Sequence, residues 1–231
     1  MTRSLATLAL ACLLSACSTG MDAVVGTLRS AMQGEPGPDP ARLNPNFRYL
    51  RVTVEGRVAF LALGYVDSHP HGPVEVWYSA KREALRLQGG RLVGATGLTT
   101  EWRSVELPEL PSWSAIARAG EPVQWERVRD VMPGYRFGVR DALVLRAIAP
   151  PGKSALQGLD PKSLAWFEER FRDESRPGLL AALGAVAPDA QVLPPARYAV
   201  ELREGRETVV YGEQCVSADL CFTWQRWAVK P

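Results

Sequence analysis

Three groups of residues in this chain are of types that do chemistry. The first is the acidic set Glu168, Glu169, Asp173 and Glu174. Two carboxylates flanking a glycosidic bond can divide acid and base work between them. Here Arg170, Arg172 and Arg176 are interleaved with the acids, and adjacent residues on a helix point in different directions. The favoured reading is therefore a solvated helix face. The second group is His69-Pro70-His71, with Asp67 close in sequence. A zinc site takes about four ligands, and the surrounding Gly and Pro mark an exposed turn, so no metal and no cofactor is expected. The third group is seven tryptophans, Trp77, Trp102, Trp113, Trp125, Trp166, Trp224 and Trp227. Exposed rings can stack on sugar faces by the same apolar burial that fills a core, and most of the seven are expected in the core. The chain has no GxSxG elbow, no HExxH, no Walker loop and no GxGxxG opening a helix. A non-enzyme is the reading that follows, with a hydrolase using Glu168 or Asp173 as its alternative.

The four cysteines divide by position. Cys12 and Cys17 lie in and at the end of an apolar run from Leu5 to Leu14, preceded by the single charge of Arg3. That order of charge, apolar run and small residues is a secretory signal, and the run is far short of the roughly 20 residues a membrane span needs. Leu14-Ser15-Ala16-Cys17 resembles the bacterial lipobox. The resemblance implies cleavage before Cys17 and its lipidation with several acyl chains, which anchor durably where one would not. Residue 18 is Ser rather than Asp, which by the enteric sorting rule points to the outer membrane, periplasm-facing. Cys215 and Cys221 lie in a segment with β-like flanks and a polar turn. In an exported chain a disulfide is their expected fate, with free thiols as the alternative.

These residues sit in a chain of 231, of which 46% are hydrophobic and 23% charged, with a net charge of +2. The near-neutral balance leaves no electrostatic footprint for nucleic acid. Three stretches follow from the texture. Residues 1–16 are a lipoprotein signal peptide. Residues 17–46 are a lipidated tether, with Met21, Val24, Val25, Leu28 and Met32 at helical spacing and then a Pro/Gly-rich linker. Residues 47–231 are a mainly antiparallel β domain. Val-, Phe-, Tyr- and Leu-rich segments alternate with short polar turns, and Gly89-Gly90 is a tight hairpin turn between two of them. The residues 111–120 read as one or two helical turns. The clearest expected helix runs over 160–175, with Asp160 as N-cap, Pro161 at its first position and Leu164, Phe167 and Phe171 as its apolar face; a second short helix is expected over 176–188. The fold class is mainly β, one domain of coiled antiparallel sheets with one or two short helices.

The stretch Val74 to Leu98 places Trp77 on a strand before a hairpin, then Gly90-Arg91-Leu92-Val93 and the pair Gly97-Leu98. With the segment from Arg197 to Ser217, the lipobox and the overall length, it resembles the group 4 capsule polysaccharide lipoproteins, the YjbF/GfcB-like family. The resemblance implies an all-β fold of coiled, branching antiparallel sheets and a non-enzymatic accessory role in exopolysaccharide or capsule production and export. It implies partners among the proteins of that export system. Attachment to the membrane is expected from the lipobox, and exposed aromatics or sheet edges are the expected surfaces for glycan or for those proteins. The alternative becomes a periplasmic enzyme that modifies the polysaccharide.

Overall fold

The computed structural model describes residues 39–172 and 192–229. Cys12, Cys17, the tether helix, the helix expected over 176–188, Asp173 and Glu174 lie outside the described residues.

Twelve strands follow one another as hairpins: β1 (Tyr49–Val54), β2 (Arg57–Asp67), β3 (Val74–Tyr78), β4 (Ala84–Gln88), β5 (Arg91–Thr96), β6 (Glu101–Glu106), β7 (Val123–Met132), β8 (Arg136–Ile148), β9 (Ala165–Phe171), β10 (Ala196–Arg203), β11 (Arg206–Ser217) and β12 (Leu220–Trp227). Each pairs antiparallel with its neighbour in sequence, and β1 also pairs with β12, so the sheet closes into a barrel. Closure is set by Val52, which lies opposite Ala59 on one side and Trp224 on the other. One α-helix, α1 (Trp113–Ala119), joins β6 to β7.

Period-two alternation decides what faces inward. Leu50, Val52 and Val54 of β1, Ala59 and Leu61 of β2, Leu85 and Leu87 of β4, and Phe222 and Trp224 of β12 form one interior cluster. A membrane-spanning barrel puts its apolar band on the outside; here the apolar side is within. A round barrel of this many strands would leave a wide lumen. Instead opposite walls meet. Gly90, in the β4–β5 turn, lies so close to Val209 of β11 that a Cβ there would sit 2.5 Å from it, and the Trp102 indole donates to the Val216 carbonyl across the interior at 2.9 Å. The barrel is flattened, and side chains fill it.

Two apolar patches on the outer wall are covered by chain that is not strand. Tyr49 and Phe60 pack under Leu43 and beside Trp227. Trp166, Ala199 and Tyr211 pack with Leu164 under the connection from β8 to β9, which is pinned by Tyr211 Oη accepting from Ala155 N and by a reciprocal pair between Gln157 and Gln225.

The helix expected over 160–175 is not formed in its described part. Asp160 does cap, accepting from Lys162 N, and Pro161 does begin a turn, but that turn is a single 3-10 turn over Pro161–Ser163. Residues Ala165–Phe171 are strand β9, paired with both β8 and β10. Phe167, with no exposed surface, points inward, and Trp166 outward under the covering connection. The helical reading rested on Leu164, Phe167 and Phe171. The strand reading was hidden because the inward position between the two Phe residues is Glu169.

Candidate functional site at the mouth of the barrel

Successive hairpins place their turns at alternate ends of the barrel. The β4–β5 and β10–β11 turns, α1, the start of β1 and the end of β12 therefore share one end. Between them opens a cleft of about 670 Å³, within the range of small-ligand sites. Its apolar walls are Trp77, Trp113, Trp227 and Tyr49; its charged side chains are Arg48, Glu75, Glu207 and Arg226.

Helix α1 forms one wall and is held by both caps and charge. Ser112 Oγ accepts from Ala115 N, and Gly120 closes the helix in the left-handed conformation. The Glu207 carboxylate, from β11, accepts from Trp113 N at 2.8 Å and Ser114 N at 3.0 Å. Burial pushes the Glu207 carboxyl up, but these bonds and others from Ser112 and Ser114 outweigh it and hold it below the usual carboxylate range. Trp113 itself reaches inward. Its indole donates to the Gly89 carbonyl at 3.2 Å, and its ring meets Phe167 and Tyr198. It is the floor that separates cleft from interior.

Across the cleft, Arg226 clamps Glu75 with two bonds, Nη1 to Oε1 at 3.0 Å and Nη2 to Oε2 at 2.7 Å, and its Nε donates to the Val209 carbonyl. Both cleft carboxylates are thus engaged by the protein. Arg48 is not: its side chain is exposed and makes no ion pair among the described residues. Trp77 is 1% exposed, and its indole N–H has no partner among the described residues.

Residues 42–150 match the model of the family described as group 4 capsule polysaccharide lipoprotein gfcB, YjbF. Over that stretch, just under half of its length, the chain is similar to the group 4 capsule polysaccharide lipoproteins. The match covers Arg48, Glu75, Trp77 and Trp113 of the cleft; the segment Arg197 to Ser217, on which the resemblance also rests, lies beyond it. Among solved structures the chain is similar to the hypothetical lipoprotein YmcC from Escherichia coli (K12), at 18% identity and a TM-score of 0.46, over 83% of this chain and 87% of that one. No curated protein matches the chain.

Beneath the floor lies a second set of charges. Asp141 accepts from Arg127 Nε at 2.9 Å and from Arg129 Nε at 2.7 Å, and both guanidinium groups lie over the Trp102 ring. Glu169 lies 3.6 Å from Arg127 and 4.0 Å from Arg91, and Arg91 covers Trp113 from the inner side at 3.9 Å. Burial raises the Glu169 carboxyl above its ordinary range and lowers Arg91. The cavity beside Glu169 is only about 20 Å³.

The acidic set read from the sequence is split by strand alternation. Glu168 faces outward, 2.9 Å from Arg146 and 3.8 Å from Arg197. Glu169 faces inward and is 4% exposed, so the solvated-face reading is corrected for it: a strand, not a helix, carries it. Neither lines the mouth. His69 and His71 lie in the β2–β3 turn with rings 5.6 Å apart; Gln88 donates to His69, and His71 donates to the Leu107 carbonyl. Cys215 and Cys221 lie opposite each other in the β11–β12 hairpin and are joined as a disulfide, at the end of the barrel away from the cleft. Of the tryptophans, Trp77, Trp102, Trp166 and Trp224 are fully buried. Among the described residues, the exposed aromatics are Phe47, just before β1 and beside Tyr49, Tyr65 with Tyr78 on β2 and β3, and Tyr135 with Phe137 at the β7–β8 tip. The sequence reading passed over Arg48, Glu75, Glu207 and Arg226, because nothing local marks them; Glu75 and Arg226 are 151 residues apart.

Proposed function

We propose that the protein is a lipid-anchored, non-enzymatic accessory factor in capsule or exopolysaccharide production, held at the outer membrane by Cys17 and facing the periplasm, and that it holds a glycan segment in the barrel mouth beside the other proteins of the export system. The family supplies the link to capsule polysaccharide and to lipoproteins. The lipobox at Cys17 and Ser18 supports the anchor and its membrane. The observation that carries the reading is the mouth itself: three tryptophans around a cleft whose two carboxylates, Glu75 and Glu207, already hold protein donors. Aromatic walls with engaged acids suit holding a sugar better than cleaving one. Weighing against the hydrolase alternative, Glu168 is on the outer wall and Glu169 is sealed inside.

The test is deletion of the gene and measurement of secreted polysaccharide, with complementation by wild type, Cys17→Ser and Trp227→Ala. Secretion should fall on deletion, and both variants should complement poorly. Unchanged secretion on deletion would sink the role. Labelled palmitate should enter the wild type and not Cys17→Ser; equal labelling would remove the anchor.

A further inference from the structure

We infer that the mouth selects an acidic glycan, one whose sugar units carry carboxylate groups, and that Arg48 is the residue that reads the charge. This rests on the reading of the mouth as a glycan site and adds the class of glycan to it.

The charges lining the cleft are two arginines and two glutamates, formally balanced. They are not equally available. Glu207 spends its oxygens on the backbone N–H groups of α1. Glu75 spends both of its oxygens on Arg226, and Arg226 spends its remaining Nε on a backbone carbonyl. A guest therefore meets one neutral ion pair, a Glu207 carboxylate turned to the backbone N–H groups of α1, and one open guanidinium, Arg48. Arg48 alone offers a planar fork of donors that no protein group holds among the described residues. That fork takes a carboxylate through two parallel bonds, stronger than a bond to a neutral hydroxyl.

The rest of the cleft fits the sugar that would bear the carboxylate. Trp227, half-buried, lines the cleft with Trp113, its floor, and offers indole surface to the C–H face of a ring.

The experiment titrates the full-length protein in detergent with hexagalacturonate, which carries a carboxylate on every unit, and with cellohexaose, which carries none, following tryptophan fluorescence and heat. Hexagalacturonate should bind about tenfold tighter. The preference should shrink as salt is raised, since exposed charge is screened. Arg48→Ala should abolish the preference while leaving the melting temperature unchanged, and Arg48→Lys should restore part of it. Equal affinity for the two oligosaccharides overturns the acidic selection and leaves the glycan site standing. Binding of neither overturns both. A preference that survives Arg48→Ala overturns the role of Arg48.

Discussion

The sealed interior and the open mouth are built from the same parts: arginine, carboxylate and tryptophan. In the interior, Arg127 and Arg129 share Asp141 above Trp102, all of them at most 8% exposed. At the mouth, Arg226 clamps Glu75 beside Trp77, while Arg48 remains open above a cleft of about 670 Å³. The difference lies in access. Where no solvent or guest can reach, each charge must find its counter-charge within the protein, and the arrangement can only hold the fold together. Where a cleft is open, one charge can be left over, and a leftover charge is what a ligand can read.

That contrast can be broken by mutation, and the largest effect should come from inside. Asp141→Ala strands the buried Arg129 and leaves Arg127 with Glu169 alone, and should cost about 3–5 kcal/mol in urea unfolding; a loss below 1 kcal/mol, on the order of an exposed pair, would mean the interior is wet and the contrast false. Phe167→Ala, next to that cluster on β9, should cost about 3–5 kcal/mol. Were Ala165–Phe171 a surface helix the cost would be far smaller, so the same measurement checks the strand assignment. Replacing both Cys215 and Cys221 by Ser removes a short closed loop at the far end and should cost about 2 kcal/mol without touching glycan affinity; altered affinity would show that the two ends are coupled.

At the mouth the effects should be smaller and tied to pH. Glu207 is held below its ordinary range in the folded state, so its contribution to stability is present above the ordinary carboxylate pKa and is lost as pH falls through the lowered one. Glu207→Gln should therefore lower the melting temperature at neutral pH, and the gap to wild type should close in acid. A gap that widens in acid would contradict the assignment. Glu169 has the opposite sign: its raised carboxyl favours the folded state at low pH, an advantage lost as pH rises from the ordinary value through the raised one. The smallest change should be that of Arg48→Ala, whose melting temperature should match wild type because the side chain is exposed and unpaired among the described residues; a clear drop would place Arg48 in the structure rather than at the site.

Much of the strand layout was legible because it is local. The alternation in residues 57–67 and 122–131, the Gly89-Gly90 turn and the Asp160-Pro161 start each depend on a few adjacent residues, and each is found where those residues put it. Strand β9 was misread for an equally local reason. Glu and Arg favour helices, Phe167 and Phe171 fall at helical spacing, and a charged residue at an inward position erases the period of two.

The sequence by itself determined the strand-rich texture, the hairpin turns and the resemblance to the capsule polysaccharide lipoproteins, since these reside in short stretches whose backbone preferences and residue order do not depend on distant chain. Only the tertiary structure decided that the sheet closes, that Glu169 and Arg91 are sealed while Arg48 is not, and that Glu75 meets Arg226. Those outcomes follow from pairing β1 with β12 and pressing opposite walls together. A contact between residues 151 positions apart has no signature at either position until the barrel has closed around it.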